Sequence, residues 1–421
     1  MNEELVKILE KLKGYEEVNI AKFVTNTLLV KFVYSEIAEV QRLKEVYTLG
    51  YVRKGKRFFG ISLTGDEDVV KALEEGFKYS VESELYPILT DNDREVKVVE
   101  DNSYLESMIR EGDVSQIEKE IDGSEYPVSG IVSIYSTEIA TVTSKGFNGY
   151  DKRYKVTGYV RAFNKEYSGQ WGFFSSSLNE LKESIRKANE YASITGKVNV
   201  DDGSYDVVLS PLVMANFMSY FADFASAFSV LTGSSFLAKY KPGDKVASEK
   251  VTISDVPRSG KIAEFDAETT FTFDKEIIKE GVFKTLLYNN ELALMMGAKS
   301  TGNAGIIYPI AFAFDIQSGE DSLDSLLSSN KVIFFNNVWY TRFQNYYEGS
   351  FSTVGRDAVI VYDNGKPLGV AGRIRIADTF PRLLQNVEGL SREKYWVKWW
   401  DAPIPTNSPY VLVKSLKISK A

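Results

Sequence analysis

The segment from Val213 to Val230 limits this chain's fold more than any other. Over eighteen positions it is nearly all apolar or aromatic, and it follows a buried-type strand, Tyr205 to Leu209, closed by Pro211. Asn216, Ser219, Asp223, Ser226 and Ser229 interrupt it, so it is no membrane span, which needs about 18 or more uninterrupted apolar residues. A helix that is apolar almost all round must be enclosed by other elements. The residues after it read mostly as strands, with a turn or two of helix near 321–328.

The first half differs. Leu5, Ile8, Leu9 and Leu12 recur at helical spacing up to Gly14. Val18 to Leu63 is strand-like, with a turn at Lys54-Gly55-Lys56. Val69, Leu73, Phe77 and Val81 return to a helical period, with Asp66, Glu67 and Asp68 at the positive end of the helix dipole. Residues 87–128 are polar, with helices expected near 103–111 and 114–121. Ile131 to Ser144 and Tyr154 to Phe163 alternate as strands, and Leu178 to Ala188 forms another helix. The Gly- and Asp-rich stretch 196–203 marks a domain boundary, so the fold class is α+β in two domains, 1–200 and 201–421. A length of 421 residues agrees with two domains.

The chemistry is bounded by two absences. The chain has no cysteine and no histidine. Thiolate nucleophiles, imidazole bases, Ser-His-Asp triads and Cys- or His-based zinc sites are excluded. A metal site would be built of oxygen ligands alone. The net charge of −8 argues against a nucleic-acid partner. The charged amphipathic N-terminus does not read as a secretory signal, and cytoplasm is the expected location.

Three constellations remain as candidates. Residues 264–274 alternate, so a strand there would gather Glu264, Asp266, Glu268 and Asp274 on one face. These carboxylates would be either a solvated face or an acid/base and cation site. Lys299 to Gly305, with Ser300, Thr301, Gly302 and Asn303, is either a structural turn or a cradle for a peptide carboxylate. Tyr395 to Trp400 holds Trp396, Trp399 and Trp400, expected at a subunit contact or at a core strand end.

An ordered series of segments resembles the TldD/PmbA family, once labelled modulators of DNA gyrase and now understood as metalloprotease-related. It comprises Tyr205–Pro211 (YDVVLSP), Gly233–Leu237 (GSSFL), Pro242–Ser248 (PGDKVAS), Val251–Asp255, Phe265–Glu268 (FDAE), Ile278–Lys284 with Leu287-Tyr288, Lys299–Asn303 (KSTGN) and Gly349–Ser352 (GSFS). The first half is similar through Tyr51–Gly60 and Ser144–Gly146. TldD-type members carry H-E-x-x-x-H on the helix after the opening strand; TldE/PmbA-type members lack it. A gap-free count from Pro211 puts Ser219, Tyr220 and Phe224 where ligands and base would stand, which resembles the TldE type. Thr269 and Ile376-Ala377-Asp378 replace residues common in the family.

The resemblance implies a mostly-β second domain, a closed or strongly curved sheet around the apolar helix. It implies a non-catalytic subunit, with no cofactor, that partners a TldD-type zinc metalloprotease and positions small or unfolded peptides. Ser219, Tyr220, Phe224, Asp266, Glu268, Ser300, Thr301, Gly302 and Asn303 are then the candidate peptide-cleft residues. The other readings are a stand-alone homodimeric peptide-binding protein and a hydrolase using Glu264, Asp266 and Glu268. A nucleic-acid-associated regulator disagrees with the charge.

Overall fold

A computed structural model describes residues 2–65, 67–305 and 307–421. The chain forms two sheets that share no strand. The first runs in the spatial order Arg57–Thr64, Glu36–Lys54, Glu17–Val33, Val128–Thr143, Asn148–Asn164. The last strand's far side pairs with Glu95–Val99 at its start and Tyr167–Ser175 at its end.

Alternation along these strands separates two faces. Val18, Ile20, Leu28, Val30 and Phe32 point to one face and are buried there under the helices. Those are Asn2–Lys11, Val69–Phe77, Ser103–Glu111, Ser115–Asp122 and Glu180–Ala192. Asp68 caps the second of them by accepting a hydrogen bond from Lys71 N at 3.1 Å; Asp66 lies outside the described residues. The odd-numbered positions form the opposite face, which meets the C-terminal half.

The second sheet returns on itself. Gly203–Leu209 lies between Ala402–Lys420 and Val332–Asn345. Next comes Ser350–Asp363, then Ile374–Thr379, which also pairs with Ala402–Lys420. The pairings thus close a ring of five strands, and Val387–Trp399 adds to Ala402–Lys420 from outside that circuit.

The apolar helix packs on this sheet, but it is shorter than the sequence predicts. It spans Pro211–Ala225, followed by a separate turn of helix, Ala227–Leu231. Its start is fixed by Ser210, whose hydroxyl accepts from Leu212 N at 3.1 Å, and by Pro211 in the first turn. It ends because the backbone around Ser226 pairs sideways: Ala227 N donates to Leu287 O and Leu287 N to Ala225 O. Phe217, Phe221 and Phe224 are fully buried and meet Phe351, Phe314, Phe236 and Phe380 at 5.0–6.1 Å between ring centroids.

Candidate functional site

The carboxylates of 264–274 do not sit on a strand. A single bridge pairs Phe265 with Phe271, and the chain between them turns, with Thr269 at φ +62°. Asp266 and Glu268 are 4% and 2% exposed, so these two are not part of a solvated acidic face, whereas Glu264 is half-buried and Asp274 exposed. The turn forms because Asp266 replaces strand partners with its own side chain. Oδ1 accepts from Glu268 N and Thr270 N at 2.9 Å each, and Oδ2 from Ala304 N at 2.8 Å. Glu268 joins the two halves, accepting from Ile88 N of the first at 3.3 Å and from Asn290 N of the second at 2.8 Å.

Burial raises the pKa of Asp266 to about 7, against three backbone N–H donors that favour its anion. Burial and the neighbouring Asp266 raise Glu268 to about 8. Glu291 accepts from Tyr86 N and is raised by burial to about 7. These acids hold loops together. They do not form a cation site: among the described residues no three Asp or Glu side chains converge as metal ligands.

The 299–305 loop divides. Thr301 Oγ1 accepts from Tyr288 N at 2.7 Å, and Gly302 takes φ +65° against the Phe271 carbonyl. Asn303 is fully buried and bonds both members of an ion pair. Its Oδ1 accepts from Lys275 Nζ at 2.9 Å and its Nδ2 donates to Asp255 Oδ2 at 2.7 Å; Lys275 and Asp255 are themselves 3.0 Å apart. Asp255 Oδ1 further accepts from Phe312 N and Ala313 N. Thr301, Gly302 and Asn303 therefore build the loop, while Ser300 Oγ, among the described residues, accepts from Gly302 N alone, at 3.3 Å.

Between this loop, the 264–268 turn and the open face of the first sheet lies a cleft of about 470 Å³. Cross-strand partners line its floor: Asn19 with Tyr51, Ala21 with Leu49 and Thr141, Phe23 with Ile139. Asp266, Glu268, Ile307 and Tyr308 stand on the other side. The lining is mainly apolar with a few convergent polar groups, the usual character of a ligand site. Tyr51 OH and Asn19 Oδ1 are buried with no hydrogen-bond partner among the described residues. Sequence reasoning missed both, although their signal is visible: polar groups at odd positions of strands whose even positions are core.

Ser219, Tyr220 and Phe224 lie outside this cleft, so the structure does not bring all the predicted residues together. Ser219 Oγ donates to Ala215 O at 3.0 Å, Tyr220 OH donates to Thr341 O at 3.1 Å, and Phe224 is core. On the same helix Asn216 Nδ2 donates to Asp401 O at 2.7 Å. This donor set does not fit the zinc site of a metallopeptidase: one aromatic ring, one hydroxyl spent on its own helix and one phenol spent on a carbonyl. Of the three tryptophans, Trp399 is 7% exposed and packs on Tyr159, Trp396 is half-buried against Phe174, and Trp400 is 59% exposed. Trp399 is thus a core residue rather than a contact residue, because its ring points to the seam between the two halves.

Residues 202–420 match the family described as the PmbA/TldA metallopeptidase C-terminal domain. A metalloprotease of Methanocaldococcus jannaschii is 22% identical over 363 residues, 79% of each chain. An uncharacterized protein of the same organism is 23% identical over 284 residues; that match spans 65% of each chain, less than two thirds. The crystal structure of TldE from Thermococcus kodakarensis superimposes with a TM-score of 0.83 at 19% identity over 99% of both chains. A putative modulator of DNA gyrase from Thermotoga maritima does so with a TM-score of 0.83 at 20% identity, again over 99% of both. No helix among the described residues is long and apolar enough to cross a membrane. The match over 202–420, the five-strand ring and the helix that follows the opening strand together make this chain a member of the PmbA/TldD family.

Proposed function

We propose that this chain is a TldE-type, non-catalytic subunit that pairs with a TldD-type zinc metallopeptidase and helps to hold small or unfolded peptides. The observation that carries this reading is the helix Pro211–Ala225. By the gap-free count from Pro211, Ser219 and Phe224 fall at the family's two ligand positions on this helix and Tyr220 at the position of its base; Ser219 and Tyr220 are hydrogen-bonded within the chain itself, and Phe224 is packed in the core. The fold it shares with TldE supports the same reading. The apolar cleft beside Asp266 and Glu268 is the candidate for peptide contact, since an extended peptide needs apolar pockets and a few fixed polar groups. A cytoplasmic location accompanies it.

The test mixes the purified chain with a TldD-type protein carrying H-E-x-x-x-H. Sedimentation should show a mixed assembly, and peptide cleavage should need the TldD-type subunit while rising on addition of this chain. A chain that stays separate in every mixture, with cleavage unchanged, refutes the reading. A homodimer seen alone that never exchanges with the TldD-type protein would favour the stand-alone binder.

A further inference from the structure

A second cavity, of about 280 Å³, lies further along the seam between the two halves. Its floor is again set by cross-strand register on the open face: Tyr135 opposite Lys155, Thr137 opposite Arg153, Ile139 opposite Asp151. From the other half, Lys398 on Val387–Trp399 reaches over this floor.

The cations here are unevenly matched. Arg153 is satisfied by Asp151 at 2.8 Å and Glu264 at 3.5 Å. Lys155 Nζ donates to Ser176 Oγ at 3.0 Å and has Glu100 at 3.8 Å. Lys398 forms no hydrogen bond and no ion pair among the described residues; its Nζ lies 5.8 Å from the centre of the Tyr135 ring and 5.9 Å from that of Phe174. Burial alone depresses its pKa, with no charged neighbour to offset it. An adjoining cavity, also about 280 Å³, shares Lys155 and Phe174 and adds Lys261 and Lys394. Together the two cavities are lined by five cationic side chains and two carboxylates, Asp151 and Glu180, in a chain whose net charge is −8.

We propose that this seam cavity binds an organic carboxylate, with the Lys398 ammonium as its counter-charge and the rings of Tyr135 and Phe174 against its apolar part. Lys398 is half-buried, and a partly desolvated ammonium with no ion pair among the described residues gains from an arriving carboxylate, which supplies the missing charge without displacing an existing pair. The cavity also has an exit suited to an apolar tail: Ile139 and Phe312 line both it and the apolar 470 Å³ cleft. The same chemistry has two sources, the C-terminal carboxylate of a peptide and a free organic acid. The inference stands apart from the partner reading, because binding is measured on this chain alone.

The test is calorimetric titration of the full chain with N-acetyl-phenylalanine, with its amide, and with an N-acetylated tripeptide ending in Phe. The free acid should bind, and the amide should bind at least about tenfold more weakly, as should the acid to Lys398→Met. The melting temperature of Lys398→Met should hold or rise, since a half-buried charge with no ion pair among the described residues is removed. Lys398→Gln serves if the Met variant does not fold. In wild type, the free acid should also protect Lys398 from acylation by acetic anhydride, read by mass spectrometry. Tighter binding of the tripeptide assigns a peptide terminus; equal or weaker binding assigns a small acid. Equal binding of acid and amide, unchanged binding by the Lys398 variants, absence of protection, or no binding of any probe each overturns the proposal.

Discussion

The phenolic oxygens of Tyr191 and Tyr410 lie 2.7 Å apart, buried, 219 residues distant in sequence. Tyr191 belongs to Glu180–Ala192, which packs on the first sheet, and Tyr410 to Ala402–Lys420, a ring strand of the second. Around them Trp171, Phe334 and Tyr395 complete one aromatic core drawn from both halves. The two sheets are therefore joined by a packed core, and each hydroxyl depends on the other.

Tyr191→Phe or Tyr410→Phe should each cost about 1–3 kcal/mol, because the surviving hydroxyl is left buried without a partner. The double variant should cost less than the sum of the two. Urea unfolding of the four proteins measures this, and strict additivity would argue against the bond.

Lys275→Met should destabilise by about 3–5 kcal/mol, since it strands the fully buried Asp255 carboxylate. Replacing both charges with apolar residues of similar volume should recover much of the loss. Thermal unfolding of the single and double variants compares the two.

Stability should fall as pH rises from about 4.5 to about 8. Glu268 has its pKa raised in the folded protein from 4.5 to about 8, and Asp266 from 3.8 to about 7. Over that interval the folded state holds protons that the unfolded state has released, so raising the pH favours unfolding. Glu268→Gln should flatten this slope. Unfolding free energies at pH 5, 6, 7 and 8 are the measurement, and identical slopes for both proteins would remove the assignment.

Gly302→Ala should lower the melting temperature and cost about 1 kcal/mol or more. Its φ is +65°, and a methyl group there would meet the Phe271 carbonyl oxygen at 2.8 Å. Gly233→Ala, at φ +72° with open space around it, separates the backbone cost from the steric one.

Trp399→Ala should cost about 3–5 kcal/mol as a core truncation. Trp400→Ala, at an exposed position, should change stability by no more than about 0.5 kcal/mol. Any loss of assembly in Trp400→Ala with stability kept would place that ring at a subunit contact, and sedimentation of both variants reads it.

Much of this protein was determined by local pattern. Short-range periodicity predicts helices near 103–111, 114–121 and 178–188, and they form as Ser103–Glu111, Ser115–Asp122 and Glu180–Ala192. Ser210 and Pro211 start the apolar helix by capping chemistry that needs nothing remote. The two absent residue types, His and Cys, exclude their chemistry whatever the fold. Tertiary structure decided the rest. Tyr34 and Ser35 form a two-residue hairpin at φ +49° and +63° without the usual Gly or Asn, because the register of the long flanking strands imposes it. Residues 264–274 alternate as a strand does, yet turn, because Asp266 finds the N–H groups of Thr270 and Ala304 and Glu268 those of Ile88 and Asn290. Those partners lie as far as 180 residues away. The placement of the Lys398 ammonium near the Tyr135 ring is likewise invisible in a sequence where lysine is common. Local propensity acts within a few residues, whereas burial of a charge and the choice of its partner depend on which surfaces the finished fold brings together.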